Sequence, residues 1–268
     1  MTQRILTGLA LTAVLAVALV FGGWVFAVLY SVAMGLSIYE FYQALKASGR
    51  NTIQWPVWVC IACAIPLFLL TKDKGALALV VTTACFASCI NAVYRPKPAL
   101  EDFVFSCVPI FSVMLPGMCM LSFLQLDSRL SQTLWILESF GVALMGDTFA
   151  LFVGRKFGTK KLCPLISPNK TVEGAVGGLV GSLFFGVGCA WVCSFFGEVP
   201  PLWHFALLGL IGGFAGQVGD MFASLVKRHC KIKDFSDIFP GHGGMMDRLD
   251  SVFFTTVVMY IYVTGFVG

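Results

Sequence analysis

The chain has 268 residues, 58% of them hydrophobic and 12% charged, with a formal net charge of +4. Its mean hydropathy of +0.87 excludes an ordinary water-soluble domain, which needs a more polar surface at this length. The charge excess is mild and no nucleic-acid partner is expected, so composition bounds the chain to an all-α, polytopic bundle of membrane helices.

Taken in order, about nine apolar segments reach or approach the roughly 20 residues that a membrane helix requires. They are 4–21, 24–46, 54–71, 75–94, 103–125, 132–155, 172–196, 203–228 and 248–267. The first begins after Arg4, and apolar sequence continues past Trp24 and Tyr30 with no polar cleavage region, so it reads as a retained helix. Only Gly22-Gly23 separates it from the second. Pro56, Pro66, Pro109 and Pro116 fall in or near segments, where membrane helices accept them as kinks. Pro96 and Pro98 mark a loop.

Orientation follows the basic residues. A cytoplasmic N-terminus puts 15 of the 18 Lys and Arg on one side, including two long charged loops at 156–171 and 229–247. Only Lys72, Lys74 and Arg129 fall opposite, which makes the C-terminus extracytoplasmic. Residues 1–130 read as a scaffold region and 131–268 as the region that carries the charged loops, within one continuous membrane domain.

Most of the ten cysteines lie inside apolar runs. Cys60-Ile-Ala-Cys63 has metal or redox spacing but no second pair, and reads as packing. Glu40 reads as an interfacial carboxylate, with a place beside the active site as the alternative. Glu138 lies mid-segment and needs a polar partner in the bundle.

The charges crowd into 219–250, GDMFASLVKRHCKIKDFSDIFPGHGGMMDRLD. Ionisable groups beside hydrocarbon are costly and mark function by default. Carboxylates bind hard cations and Lys and Arg bind phosphates. His242-Gly243-Gly244 is a turn that a ligand can approach closely. Metal-assisted phosphoryl or nucleotidyl transfer follows as the reaction class. An earlier stretch echoes this one: Gly146–Arg155 laid on Gly219–Arg228 is identical at six of ten positions. Both helices run in the same direction, as a structural repeat requires. At 1.5 Å per residue, Asp147 and Asp220 lie roughly 12 Å inside their charged helix ends. Asp220, Ser224 and Lys227 share one face.

From Ser224 to Asp250 the sequence resembles the signature of phosphatidate cytidylyltransferases (CDP-diacylglycerol synthases). The residues that carry the resemblance are Ser224, Val226, Lys227-Arg228, Lys233-Asp234, Ser236, Phe239-Pro240, His242-Gly243-Gly244-Met245 and Asp247-Arg248-Leu249-Asp250. Residues 146–158 and 166–174 are similar to the same family. The resemblance implies that CTP and phosphatidate give CDP-diacylglycerol and pyrophosphate in phospholipid biosynthesis, that 131–268 is the catalytic region, and that the enzyme is a homodimer in the cell membrane.

Such a reaction needs no protein nucleophile; the site positions two anions and neutralises charge. Asp220 and Asp247 are the leading ligands for Mg²⁺, with Asp147 and Asp250 completing the set and a second cation left open. Lys227, Arg228 and His242 join Asp220 and Asp247 as catalytic candidates. Lys170, Lys233 and Arg248 are expected on phosphates, and Glu173 and Asp234 enter as site residues by resemblance. Ser167 or Asn169 is expected to cap the helix that Lys170 and Glu173 lead into. The expected site is a cavity open to the cytoplasm and to lipid, walled by the sixth, eighth and ninth segments. A transporter would place its groups at midplane on inverted repeats, and a CTP-dependent kinase of a lipid alcohol would lack the long Ser224–Asp250 match. A purely structural membrane protein would leave so many charges beside hydrocarbon unexplained.

Overall fold

The computed structural model describes residues 2–71, 75–239 and 241–267. Lys72 and Lys74 of the orientation argument and Pro240 of the signature lie outside the described residues, and Arg4 and Cys63 are described in backbone only. The described chain is mostly helical: α1 (Thr2–Phe21), α2 (Gly23–Ala47), α3 (Trp55–Thr71), α4 (Gly75–Val93), α5 (Leu100–Gln125), α6 (Arg129–Phe157), α7 (Val172–Cys193), α8 (Leu202–His229) and α9 (Met246–Val267). Six of these, α2 and α5 to α9, are long and apolar enough to cross a membrane. The chain is thus an all-α membrane protein. Hydrocarbon offers no hydrogen bonds, so the backbone must satisfy itself within each helix.

The sequence signals act locally. Pro109 has no N–H to give, and the helix relaxes into a wide π-turn over Ile110–Met114 immediately after it. Ser128 caps α6 by accepting from the Ser131 N–H at 2.9 Å. The loop between α6 and α7 is no open coil. It folds into an antiparallel hairpin of β1 (Lys161–Cys163) and β2 (Ser167–Thr171).

The chain divides into two compact units, one of residues 1–125 with 229–248 and one of 126–228 with 249–268. The core of the first is built on α2. Met34, Ile38, Phe41 and Tyr42 have no exposed surface. Gly117 of α5 lies so close to Met34 that a Cβ there would overlap its side chain. The Tyr42 hydroxyl donates to the Ser106 carbonyl at 2.9 Å, and Ser106 Oγ accepts from the Ile53 N–H at 2.7 Å.

Small residues organise the second unit. Lipid tails are as apolar as leucine, so close van der Waals packing holds membrane helices together. Gly174, Gly178, Ser182 and Gly186 recur every four residues along α7. A Cβ on Gly178 would sit 2.9 Å from the Gly146 carbonyl of α6. One on Gly213 of α8 would meet Ser182 Cβ at 2.6 Å. Ser182 Oγ also donates to the Val142 carbonyl at 2.8 Å, so one small residue serves both neighbours. Glu138 is fully buried in this unit, with Gly186 and the Cys189 thiol as its neighbours. Cys60 is buried in the first unit.

Candidate active site

Two glycines place the carboxylates of the second unit. Gly219 of α8 packs against α9 so tightly that a Cβ would lie 2.5 Å from the Asp250 carbonyl. Gly146 of α6 is equally close to Ser182. Each precedes the aspartate of the sequence echo, so the shared Gly-Asp pair is a close-packing residue followed by an acid. Both acids reach the start of α9. Asp147 accepts from Ser251 Oγ at 3.0 Å. Asp250, 7% exposed, lies within the electrostatic reach of Asp220, Asp147 and Lys227. Lys170, carried in by β2, forms an ion pair with Asp220.

Asp147, Asp220, Asp250, Lys170 and Lys227 are therefore gathered in one place. Carboxylates this close repel one another unless cations sit among them, and the two lysines supply part of that charge. Among the described residues, no three His, Cys, Asp or Glu side chains are arranged to hold a metal ion by themselves. The donor set still suits Mg²⁺. This ion favours carboxylate oxygens, and one or two of them suffice when substrate phosphates and water complete the shell.

The hairpin positions the remaining groups of this unit. The cap of α7 is Thr171, whose Oγ1 accepts from the Gly174 N–H at 3.1 Å. Ser167 and Asn169, the expected caps, lie instead on β2, because pairing with β1 carries the chain extended up to Thr171. Glu173, in the first turn, accepts from Thr159 Oγ1 at 2.5 Å and from the Lys160 N–H at 3.2 Å. Its carboxylate ties the hairpin to the helix. Arg228 Nε donates to the Ile166 carbonyl at 3.3 Å, holding the hairpin from α8.

The other candidates lie in the first unit, on the 229–248 segment. Gly243 has a φ of 76°, a left-handed conformation that glycine adopts without strain. The turn closes through His242 N–H to the Phe239 carbonyl at 2.8 Å and Phe239 N–H to the Gly243 carbonyl at 3.0 Å. Asp247 Oδ2 accepts from the Phe235 N–H at 2.8 Å and the Gly244 N–H at 3.0 Å, so this carboxylate folds the loop that carries it. His242 Nδ1 is shielded from solvent and has no hydrogen-bond partner among the described residues. Lys233, Asp234 and Arg248 are exposed.

Glu40 is 1% exposed and is no interfacial group. It accepts hydrogen bonds from Ser236, Met245 and Met246. Its one sequence signal is a lone carboxylate in an apolar helix, which cannot say what it meets 196 residues later.

The profile of the cytidylyltransferase family matches residues 2–266. The chain is 28% identical to a phosphatidate cytidylyltransferase of Synechocystis sp., over 98% of this chain and 96% of that protein. It is also 28% identical to phosphatidate cytidylyltransferase 4, chloroplastic, of Arabidopsis thaliana, over 97% of this chain and 73% of that protein. A phosphatidate cytidylyltransferase of Bacillus subtilis is 38% identical over 56% of this chain and 55% of its own.

Proposed function

The chain belongs to the cytidylyltransferase family, and from that premise we propose that it makes CDP-diacylglycerol and pyrophosphate from CTP and phosphatidate. The observation that carries this reading is the gathering of Asp147, Asp220 and Asp250 with Lys170 and Lys227 at the start of α9. A phosphate oxygen of phosphatidate attacks the α-phosphorus of CTP. The bond from that phosphorus to the β-phosphate oxygen breaks, and pyrophosphate leaves with the electron pair. Both reactants are anions, so the work of the protein is to hold them in line and offset their charge.

Lys170, Lys227 and Arg228 of the second unit, and Lys233 and Arg248 of the first, bind phosphate oxygens in this reading. Asp147, Asp220 and Asp250 of the second unit are the residues that would hold Mg²⁺. Asp247 of the first unit is a metal candidate from the sequence whose carboxylate folds its own loop. The metal, when bound, neutralises charge on the transferred and leaving phosphates; a second cation fits the same chemistry. Glu173 holds the hairpin that carries Lys170. His242 orients a phosphate or moves a proton through Nδ1, and Asp234 belongs to the same loop. The finer topology is nine crossings with a cytoplasmic N-terminus, in the cell membrane, with the site facing the cytoplasm. The functional species is a homodimer.

The test is direct. Purified protein is incubated with phosphatidate, Mg²⁺ and CTP labelled at the α-phosphate. Label is expected in lipid and pyrophosphate in solution. Label left wholly in nucleotide overturns the reading, and in a parallel reaction with γ-labelled CTP and a lipid alcohol, label in lipid would assign a kinase instead.

A further inference from the structure

Glu40 lies near the end of α2 among fully buried apolar side chains, Ile38, Phe41 and Tyr42. A carboxylate removed from water is costly unless hydrogen bonds replace the water. Three donors converge on it. Ser236 Oγ donates to Oε1 at 2.6 Å, the Met245 N–H to Oε1 at 3.0 Å, and the Met246 N–H to Oε2 at 2.8 Å. The two backbone donors open α9, where unpaired N–H groups and the helix dipole favour an anion. The turn is shaped to this contact, because a Cβ on Gly244 would overlap the Glu40 carboxyl. One residue along, Phe41 packs on Phe235 with ring centroids 5.5 Å apart. The 235–246 segment is therefore folded around two carboxylates. Asp247 is its own, and Glu40 is brought in by α2.

We propose that Glu40 is a positioning residue. It is the anion at the head of α9, and it fixes the His242-Gly243-Gly244 turn and Asp247 in the geometry that the reaction uses. This rests on the proposed function, which makes that turn part of the catalytic machinery. Both Glu40 oxygens are taken by protein donors, so it acts through the loop and not on substrate. Glutamine keeps the volume but fails the role. Whichever way its amide lies, an NH₂ faces at least one donor, and a hydrogen bond is lost.

The experiment compares wild type with Glu40→Gln, Ser236→Ala and the double variant as full-length chains. Amide hydrogen exchange is followed in metal-free protein alongside steady-state kinetics. In Glu40→Gln the amides of 244–246 exchange faster by about tenfold or more, as loss of a charge-assisted hydrogen bond implies, while those of α6 to α8 keep wild-type rates. The kcat falls about 10²-fold, the scale set by a misplaced group, while KM for CTP changes far less. Ser236→Ala shows a smaller effect that is not additive with Glu40→Gln, because both substitutions weaken the same hydrogen-bonded group. Wild-type exchange at 244–246 in Glu40→Gln, or full additivity of the two substitutions, overturns the proposal. If Glu40→Gln fails to accumulate, Ser236→Ala decides: faster exchange at Met245 and Met246 supports the proposal, and unchanged exchange overturns it. Wild-type protein that moves no cytidylyl group to lipid overturns the proposed function instead, and the exchange arm still reports on Glu40.

Discussion

Lys170 and Asp220 form an ion pair that is about one quarter exposed on each side, and such a pair contributes little to stability. Its surroundings give it weight, because Asp250 and Asp147 stand beside it. Lys170→Ala is therefore expected to leave the melting temperature in detergent within a few degrees while cutting kcat/KM about 10²-fold, a common loss for one transition-state donor. Asp220→Ala and Asp247→Ala are expected to abolish cytidylyl transfer at normal expression. Near-wild-type turnover in either would remove that residue from the metal site. Asp220 was legible in the sequence as an acid seven residues before Lys227 on one helix face, although its side chain is about one quarter exposed and not buried. The bond from Ser251 to Asp147 was not, because a serine next to an aspartate in an apolar helix has no distinguishing pattern.

Among the elements, the α6–hairpin–α7 assembly shows most plainly how local chemistry positions the site. Thr171 ends β2 and starts α7, and its hydroxyl takes one of the orphan amides of the first turn. Thr171→Ala is expected to cost roughly 1 kcal/mol. It should also loosen Lys170, read as a higher KM for CTP together with faster proteolysis at 159–166. Gly177 meets Val153 across the α6–α7 contact, where a Cβ would stand 2.5 Å from a valine Cβ. Gly177→Val is expected to destabilise by about 1–3 kcal/mol, measured by thermal unfolding in detergent. The helices themselves were plain in the sequence, with ends within a few residues of those observed. The hairpin was not, because Lys161–Cys163 and Ser167–Thr171 are too short and too polar to show strand alternation. Its pairing is set by the two helix ends it joins.

For the whole molecule, the uneven distribution of Lys and Arg predicts that a reporter fused at the C-terminus lies opposite one fused at the N-terminus. Reporters on the same side would break the nine-crossing topology. Amino-acid sequence alone determined the membrane class, the helical segments, the charged loops and the reaction class. A chain in hydrocarbon must be helical wherever it is apolar, and charges there survive only where they are used. Tertiary structure decided which of those charges meet. It brought Asp147 and Asp220 to the first turns of α9, and it grouped 229–248 with the N-terminal helices. It also turned Glu40 from an apparent interfacial carboxylate into the buried partner of Met245 and Met246. Those outcomes depend on how glycine-lined helix faces approach one another, and helices of nearly uniform hydropathy carry no local mark of which faces will meet.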